Sequence, residues 1–431
     1  MFKINSKSIL IGVFLISVSS ILQWTTLPIN NTFVWWLIYA LILFMLLNSK
    51  HTYYNTENDA NFFVVKMYLL WNVICIVRGF FVAEDYWEWK HLIYTSMVLL
   101  LPLVVYIASN TFYVQKILHS WMRFVLPAFV LVFLFIGLGA YGRFLFPVSF
   151  MLLFFPLLNK KYKLLCLFVA LLVITVDLSA RSNVIKFLVP FGLSFLYFFR
   201  SRLVLPLLGY IRTTFLVAPI VLLVLGVTNT FNVFKISDYI EGEYRVATSN
   251  KYVQGAEDLR ADTRTFIYVE VIASALKYGY VWMGRTPARG NESPSFGPQI
   301  DKELNRNKNE RFTNEVGIAN IFTYTGLLGV VLNFLIFVKA SYLGLKRSNN
   351  WHLKLMAIYV SFRWLYSWVE DSSRFDLSTL FLWICIAMCI SKSFRKMTDN
   401  EFKNWFRGIV DHRYRKAILK KQLVATFKDP T

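Results

Sequence analysis

One apolar run follows another along this chain, and that succession limits its fold more than anything else in it. Crossing ~30 Å of hydrocarbon takes ~17–25 mostly apolar residues of helix, fewer when flanking side chains snorkel. About twelve runs meet that need, near residues 8–28, 33–49, 62–82, 92–109, 121–140, 143–158, 162–179, 183–199, 211–229, 315–339, 352–370 and 376–392. With 56% hydrophobic and 16% charged residues in 431, apolar side chains exceed what one soluble core needs. The expectation is an all-α, polytopic membrane helix bundle of about 12 transmembrane helices. The segment between helices 9 and 10 forms one large extracytoplasmic loop.

Charge distribution sets the orientation. A net charge of +21 would suggest nucleic acid in a soluble protein. In a polytopic one it belongs in cytoplasmic segments facing anionic lipid, so no nucleic-acid partner is expected. Lys3, Lys7, Lys50, Lys116, Arg123, Lys160, Lys161, Lys163, Arg200, Arg202, Arg212, Lys346, Arg347 and the tail fall in alternate inter-helix segments. That places both termini in the cytoplasm. The start "MFKINSKSILIGVFLISVSSILQW" lacks a small-x-small cleavage site and reads as a first membrane helix. The four cysteines, Cys75, Cys166, Cys385 and Cys389, lie in apolar runs without a CxxC or Cys/His cluster, so neither disulfides nor a metal is indicated.

The organisation is therefore 1–229, transmembrane helices 1–9; 230–314, the outer loop; 315–392, helices 10–12; and 393–431, a basic cytoplasmic tail. The tail, including "HRYRKAILKKQ", reads as a helix lying on the cytoplasmic leaflet. The outer loop balances 12 basic residues against 11 acidic ones up to residue 312, so it is polar and nearly neutral. Within it, 263–282 reads as an amphipathic helix. Its stripe of Phe266, Val269, Ile272, Ala273 and Leu276 is expected to lie over the membrane body. The halves show no internal repeat, which weighs against a duplicated transporter.

Outer arginines oppose the positive-inside bias and ask for an anion or an ion-pair partner. Arg78 in "IVRGFF", Arg143 in "AYGRFLFP" and Arg181 in "DLSARSNVI" sit at outer ends of spans, while Arg264, Arg285 and Arg289 lie in the loop. Each singly can snorkel to lipid phosphate. Together they suit a diphosphate, because guanidinium donates two parallel charge-assisted hydrogen bonds and stays protonated. In "RFTNEVGIANIFTYTGLLGVVL", Glu315 stands at the mouth of a span with Asn314 before it and Asn320 inside. Two readings of Glu315 stand: a proton acceptor and a helix N-terminal charge. Gly326 and Gly329 suit close helix packing. "AEDYWEWKH" suits sugar stacking and equally an interfacial aromatic belt. No P-loop, HExxH or GxSxG is present, so cytosolic nucleotide chemistry is unsupported.

Three stretches carry a family resemblance. "DLSARSNVIKFLVPF", "DTRTFIYVEVIASALKYGYVWMGR" and "NEVGIANIFTYTGLLG" are similar to, in turn, the Ser-Arg span entry, the arginine-led loop helix ending in glycine, and the two-glycine span entry of one superfamily. They resemble the bacterial O-antigen polymerase (Wzy) and O-antigen ligase superfamily. The likeness covers the plan of nearly the whole chain and points to Arg181, Arg264, Gly284, Gly326 and Gly329. Where the ligase branch carries a histidine, Glu315 stands, and 230–312 contains no histidine. That departure favours the polymerase branch.

The resemblance implies a metal-independent, cofactor-free, inverting glycosyltransferase at the outer face of a bacterial cytoplasmic membrane. It would move a growing O-antigen, capsule or exopolysaccharide chain from undecaprenyl diphosphate to the next lipid-linked repeat unit. Arg181 and Arg264 would hold the departing diphosphate and Glu315 would take the acceptor proton. Arg78, Arg143, Arg285, Arg289, Asn314 and Asn320 would bind substrate. Membrane lipids, a chain-length regulator and a flippase are the implied partners. The alternatives are an O-antigen ligase acting on lipid A core and a transporter of the same lipid-linked sugars.

Overall fold

A computed structural model describes residues 6–47, 60–176, 181–228, 230–235, 238–239, 245–247, 256–258, 262, 264–411 and 414. Among these, six helices are long and apolar enough to cross a membrane: Phe63–Phe80 (α3), Tyr86–Ala108 (α4), Thr111–Phe135 (α5), Arg181–Phe199 (α8), Leu205–Val227 (α9) and Gly317–Lys346 (α11). Shorter apolar helices accompany them. They include Ser6–Ser19 (α1), Thr32–Leu47 (α2), Phe146–Leu153 (α6), Lys160–Val176 (α7), Trp351–Tyr366 (α12) and Leu377–Ile390 (α13). The chain is mostly helical and compatible with a multi-pass membrane protein.

α13 is the axis of the bundle. "LSTLFLWICIAMCI" is apolar on every side and every residue but Ser378 is buried, as an all-round apolar helix requires. α11, α12 and α6 pack around it, and α3, α8 and α9 pack on those. Apolar side chains such as Phe80, Phe81, Leu131 and Leu134 are exposed on the outside, as a multi-pass membrane protein would have them.

The run at 143–158 does not form one continuous helix. It breaks into Tyr141–Phe144, the fully buried α6 and the turn Phe155–Leu157. Pro147 and Pro156 each sit at the first helical positions of a new piece, where the missing N–H costs nothing.

α11 carries the feature that positions the loop end. At Gly326 its backbone leaves the helix, with φ +67° and ψ −172°, a conformation that strains any residue with a Cβ. Such a break frees backbone groups that must find partners in an apolar setting. The turn at 281–285 supplies them: Leu327 N–H donates to Val281 O at 2.8 Å, Leu328 N–H to Trp282 O at 3.3 Å, and Arg285 N–H to Thr323 O at 2.7 Å. Trp71 of α3 donates its indole N–H to Thr325 O at 2.8 Å. Gly284, with φ +71°, crosses Gly326 so closely that a Cβ on it would lie 2.5 Å from the Gly326 nitrogen. These two glycines therefore serve a backbone crossing rather than the helix packing expected of Gly326.

At the other end, the tail differs from expectation. Asp399–Val410 (α14) starts on a Thr398/Glu401 capping box and buries Phe402, Trp405, Phe406 and Ile409. Its apolar face lies on protein: Gln115 donates to Trp405 O at 2.6 Å and Trp405 to Thr111 O at 2.9 Å, both from α5. That stripe is thus consumed by the bundle and not by a leaflet. "HRYRKAILKKQ" lies, apart from Tyr414, outside the described residues.

Candidate functional site at the loop end

Thr265–Lys277 (α10) is the expected loop helix, but it turns the other face inward. Ile267, Val271, Ser274 and Ala275 are buried. Val269, Ile272, Ala273 and Leu276 are exposed. Periodicity fixes that a stripe exists, but α10 is apolar enough to have two, and tertiary contacts choose between them.

Arg264 caps α10 and reaches two groups at once. Its Nη1 meets Glu315 Oε2 at 2.5 Å and its Nε donates to Val369 O at 3.1 Å. Arg311 approaches from the other side, with Nη2 3.8 Å from Glu315 Oε1 and Nε donating to Thr313 O at 3.1 Å. Its guanidinium stacks 4.5 Å over the Phe296 ring, and its Nη1 is buried without a hydrogen-bond partner. Burial pushes the Arg311 guanidinium below its usual value, with Glu315 pulling it back. The Glu315 side chain is 53% exposed between the two guanidinia. Two cations and one solvent-facing carboxylate thus form the mouth.

The stretch Tyr366–Glu370 joins this mouth to α8. Gly317 N–H donates to Glu370 O at 3.1 Å and Ile318 N–H to Ser367 O at 3.0 Å, which seats the start of α11. Tyr366 Oη donates to Ser182 O at 3.3 Å, next to Arg181, the exposed first residue of α8. Arg264 and the Arg181 end of α8 therefore flank one segment. Residues 177–180 of "DLSAR" lie outside the described residues. Beneath, Lys186 pairs with Glu370 at 3.0 Å, Arg143 lies 3.8 Å from Asp376 and 5.2 Å over Trp24, and Arg374 pairs with Asp371 at 2.6 Å. Burial raises the Asp371 carboxyl, but Arg374 and the Ser373 hydrogen bonds outweigh it and leave the group below its ordinary value.

Asn314 and Asn320 are buried and bonded to protein. Asn314 N–H donates to Asn320 Oδ1 at 2.7 Å, and Asn320 Nδ2 returns to Asn314 O at 2.9 Å. Asn314 Nδ2 reaches Asn291 Oδ1 at 2.8 Å, and Asn320 Nδ2 reaches Ser373 Oγ at 3.0 Å. They hold the turn that presents Glu315, so the expected substrate contact becomes a positioning role. A cavity of about 30 Å³ lined by Tyr68, Tyr324, Asn333, Ser367, Ser373 and Thr379 lies within the bundle. It has room for water and none for a sugar.

Arg78, Arg285 and Arg289 are engaged elsewhere. Arg78 donates to Met283 O at 2.7 Å and Gly284 O at 3.2 Å, pinning the turn that crosses Gly326. Arg285 meets Glu310 at 2.7 Å, and Arg289 pairs with Glu310 and lies 3.3 Å from Glu88. Arg306 and Lys308 complete this second cluster on Glu88 at 2.9 and 2.6 Å, with Asp85 3.1 Å from Arg306 and Glu84 2.9 Å from Lys308. Four cations face four carboxylates there, around a Glu88 that is 0% exposed. "AEDYWEWKH" is thus the dock of the 285–310 segment.

Arg311 of the mouth, and Lys186 and Arg374 in the ion pairs beneath it, were not singled out by sequence reasoning. The four-residue step from Arg311 to Glu315 was the available signal for the first. Nothing in sequence pairs Lys186 with Glu370. Among the described residues no group of histidine, cysteine and carboxylate side chains could hold a metal ion. No family model, curated protein or solved structure matches the chain.

Proposed function

We propose that the chain polymerises oligosaccharide repeat units, transferring a growing glycan from undecaprenyl diphosphate to the next lipid-linked repeat unit at the outer face of a bacterial cytoplasmic membrane. In this reading about twelve segments lie in the membrane, the shorter helices included, residues 230–314 are extracytoplasmic, and both termini are cytoplasmic. The observation that carries it is the mouth: Glu315 half-exposed between Arg264 and Arg311, with Arg181 across the 366–370 segment.

The chemistry follows from partner exchange. A diphosphate competes with Glu315 for both guanidinia, because the bidentate fork fits phosphate oxygens as well as a carboxylate. Its arrival frees Glu315. The acceptor hydroxyl oxygen then bonds to the anomeric carbon from the face opposite the leaving group. The bond from that carbon to the diphosphate oxygen breaks with its electron pair, and the hydroxyl proton passes to Glu315. Charge grows on the leaving diphosphate, where Arg264, Arg311 and Arg181 stabilise it by several kcal/mol in the transition state. Asn314 and Asn320 hold the Glu315 turn, and Arg78 holds the 283–284 turn that crosses α11 at Gly326.

Reconstituted protein given purified lipid-linked repeat units should build a ladder of products. Arg264→Lys should build none at unchanged membrane abundance, since lysine cannot reach Glu315 and Val369 O together. Normal chain growth by Glu315→Gln would remove it as the base. Transport of the lipid-linked units without a new glycosidic bond would sink the enzymatic reading, and transfer to lipid A core would move it to the ligase branch.

A further inference from the structure

Apart from Lys277 at its last position, every residue that α10 exposes is apolar. Val269, Ile272, Ala273 and Leu276 occupy one sector of the helix, and Val269 and Leu276 are 60% and 69% exposed. The charged residues of α10 stand to one side of that sector and are tied to the outer segment. Glu270 accepts from Ser293 Oγ at 2.6 Å and Ser295 N–H at 3.0 Å, and Lys277 pairs with Glu292 at 2.7 Å. One flank of the helix is therefore polar and partnered, and the outward sector is neither. In water such a face would be an aggregation hazard.

The chain after α10 shows where this face leads. Trp282, 64% exposed, and the exposed Met283 extend it, and the Trp282 carbonyl accepts the N–H of Leu328 just past the break in α11. From there Leu328, Val331 and Leu335 form the exposed apolar side of the longest apolar helix in the molecule. Exposed apolar residues thus stand on α10, on the 282–283 turn and on a spanning helix, with Lys277, held by Glu292, and Tyr278 between the first two.

We infer that α10 and the turn to Met283 are inserted in the membrane, with Val269, Ile272, Leu276 and Trp282 buried in acyl chains of the leaflet at the loop end. α10 is then an in-plane interfacial helix, the class of element whose apolar side sinks ~5–10 Å into the headgroup and acyl boundary. Trp282 and Tyr278 stand where aromatic residues anchor such elements. Arg264, at the start of the helix, is consequently held at headgroup depth. This rests on the membrane reading of the fold and not on glycan transfer.

Site-directed spin labels test it in the full-length protein in phosphatidylethanolamine/phosphatidylglycerol nanodiscs. Single cysteines replace Val269, Leu276 and, as a water-side reference, Lys302; the four native cysteines are buried, and the unaltered chain gives the labelling background. Labels at 269 and 276 should collide with oxygen about tenfold more, relative to a water-soluble nickel chelate, than the label at 302, as the lipid depth of such helices requires. Equal chelate access at 276 and 302 would place the face in water and overturn the inference. Immobile labels reached by neither reagent would mean a protein partner covers it, and would overturn it too. Trp282→Phe with a bromolipid quenching readout is the second measurement: loss of part of the quenching supports burial in acyl chains, and unchanged quenching opposes it.

Discussion

Two ionic clusters stand at the loop end, built from the same residue types and put to different uses. Around Glu88 and Glu310, four cations and four carboxylates close on one another, and both central carboxylates are buried. Around Glu315, two guanidinia hold a carboxylate that is half in solvent, and one Arg311 nitrogen has no hydrogen-bond partner. The first cluster closes its charges on two buried carboxylates, with Arg306 Nε facing Asp85 at 3.1 Å. In the second the shared carboxylate itself faces solvent. Residue type and location are alike in both; exposure of the shared carboxylate separates a fastener from a candidate site.

The sharpest way to break that comparison is to unbalance the first cluster. Glu88→Ala leaves Arg289, Arg306 and Lys308 without their shared carboxylate, and removing one partner of a buried pair costs about 3–5 kcal/mol. Thermal unfolding in detergent should shift down strongly and limited proteolysis should cut the 285–312 region first. A Glu88→Ala protein of normal stability that fails only in chain growth would make the dock a site.

Arg264→Ala should do the opposite, leaving the unfolding temperature within a degree or two and reducing polymerisation at least about a hundredfold, the usual cost of one lost transition-state donor. Arg311→Lys should reduce it about tenfold while raising sensitivity to salt, because a lysine keeps the charge and loses the fork.

Gly326→Ala probes the crossing that holds the clusters in place. An alanine at φ +67° facing the backbone of Trp282 and Gly284 should cost about 1–3 kcal/mol. Hydrogen exchange at Leu327 and Leu328 should rise, since their N–H groups donate to the 281–282 turn. The smallest expected effect is acid sensitivity. Glu84, held low by Lys308, and Asp371, held low by Arg374, bind protons less readily folded than unfolded. Their contribution is present above their ordinary values of 4.5 and 3.8 and disappears as pH falls through the depressed folded values. Stability should fall below that window, and less so in Asp371→Asn.

Particular elements show how far the sequence reaches. The run at 62–82 appears as Phe63–Phe80 and that at 376–392 as Leu377–Ile390, because apolar length and flanking polar residues bound a helix locally. The loop helix was legible as a helix over 263–282, of which the structure forms Thr265–Lys277, and its buried face was not legible. The contact between Arg264 and Glu315 spans 51 positions and that between Arg306 and Glu88 spans 218. No local pattern carries such pairings.

The sequence alone therefore determined that the chain is a set of apolar helices with arginines in known places between them, since hydropathy and charge belong to each residue wherever it lies. Only the tertiary structure decided which of those arginines are spent. Pairing depends on which carboxylates and carbonyls come within about 3 Å, and on whether they are shielded, and that is a property of the folded arrangement: Arg78, Arg285 and Arg289 found partners inside it, and Arg264 and Arg311 hold a carboxylate at the surface.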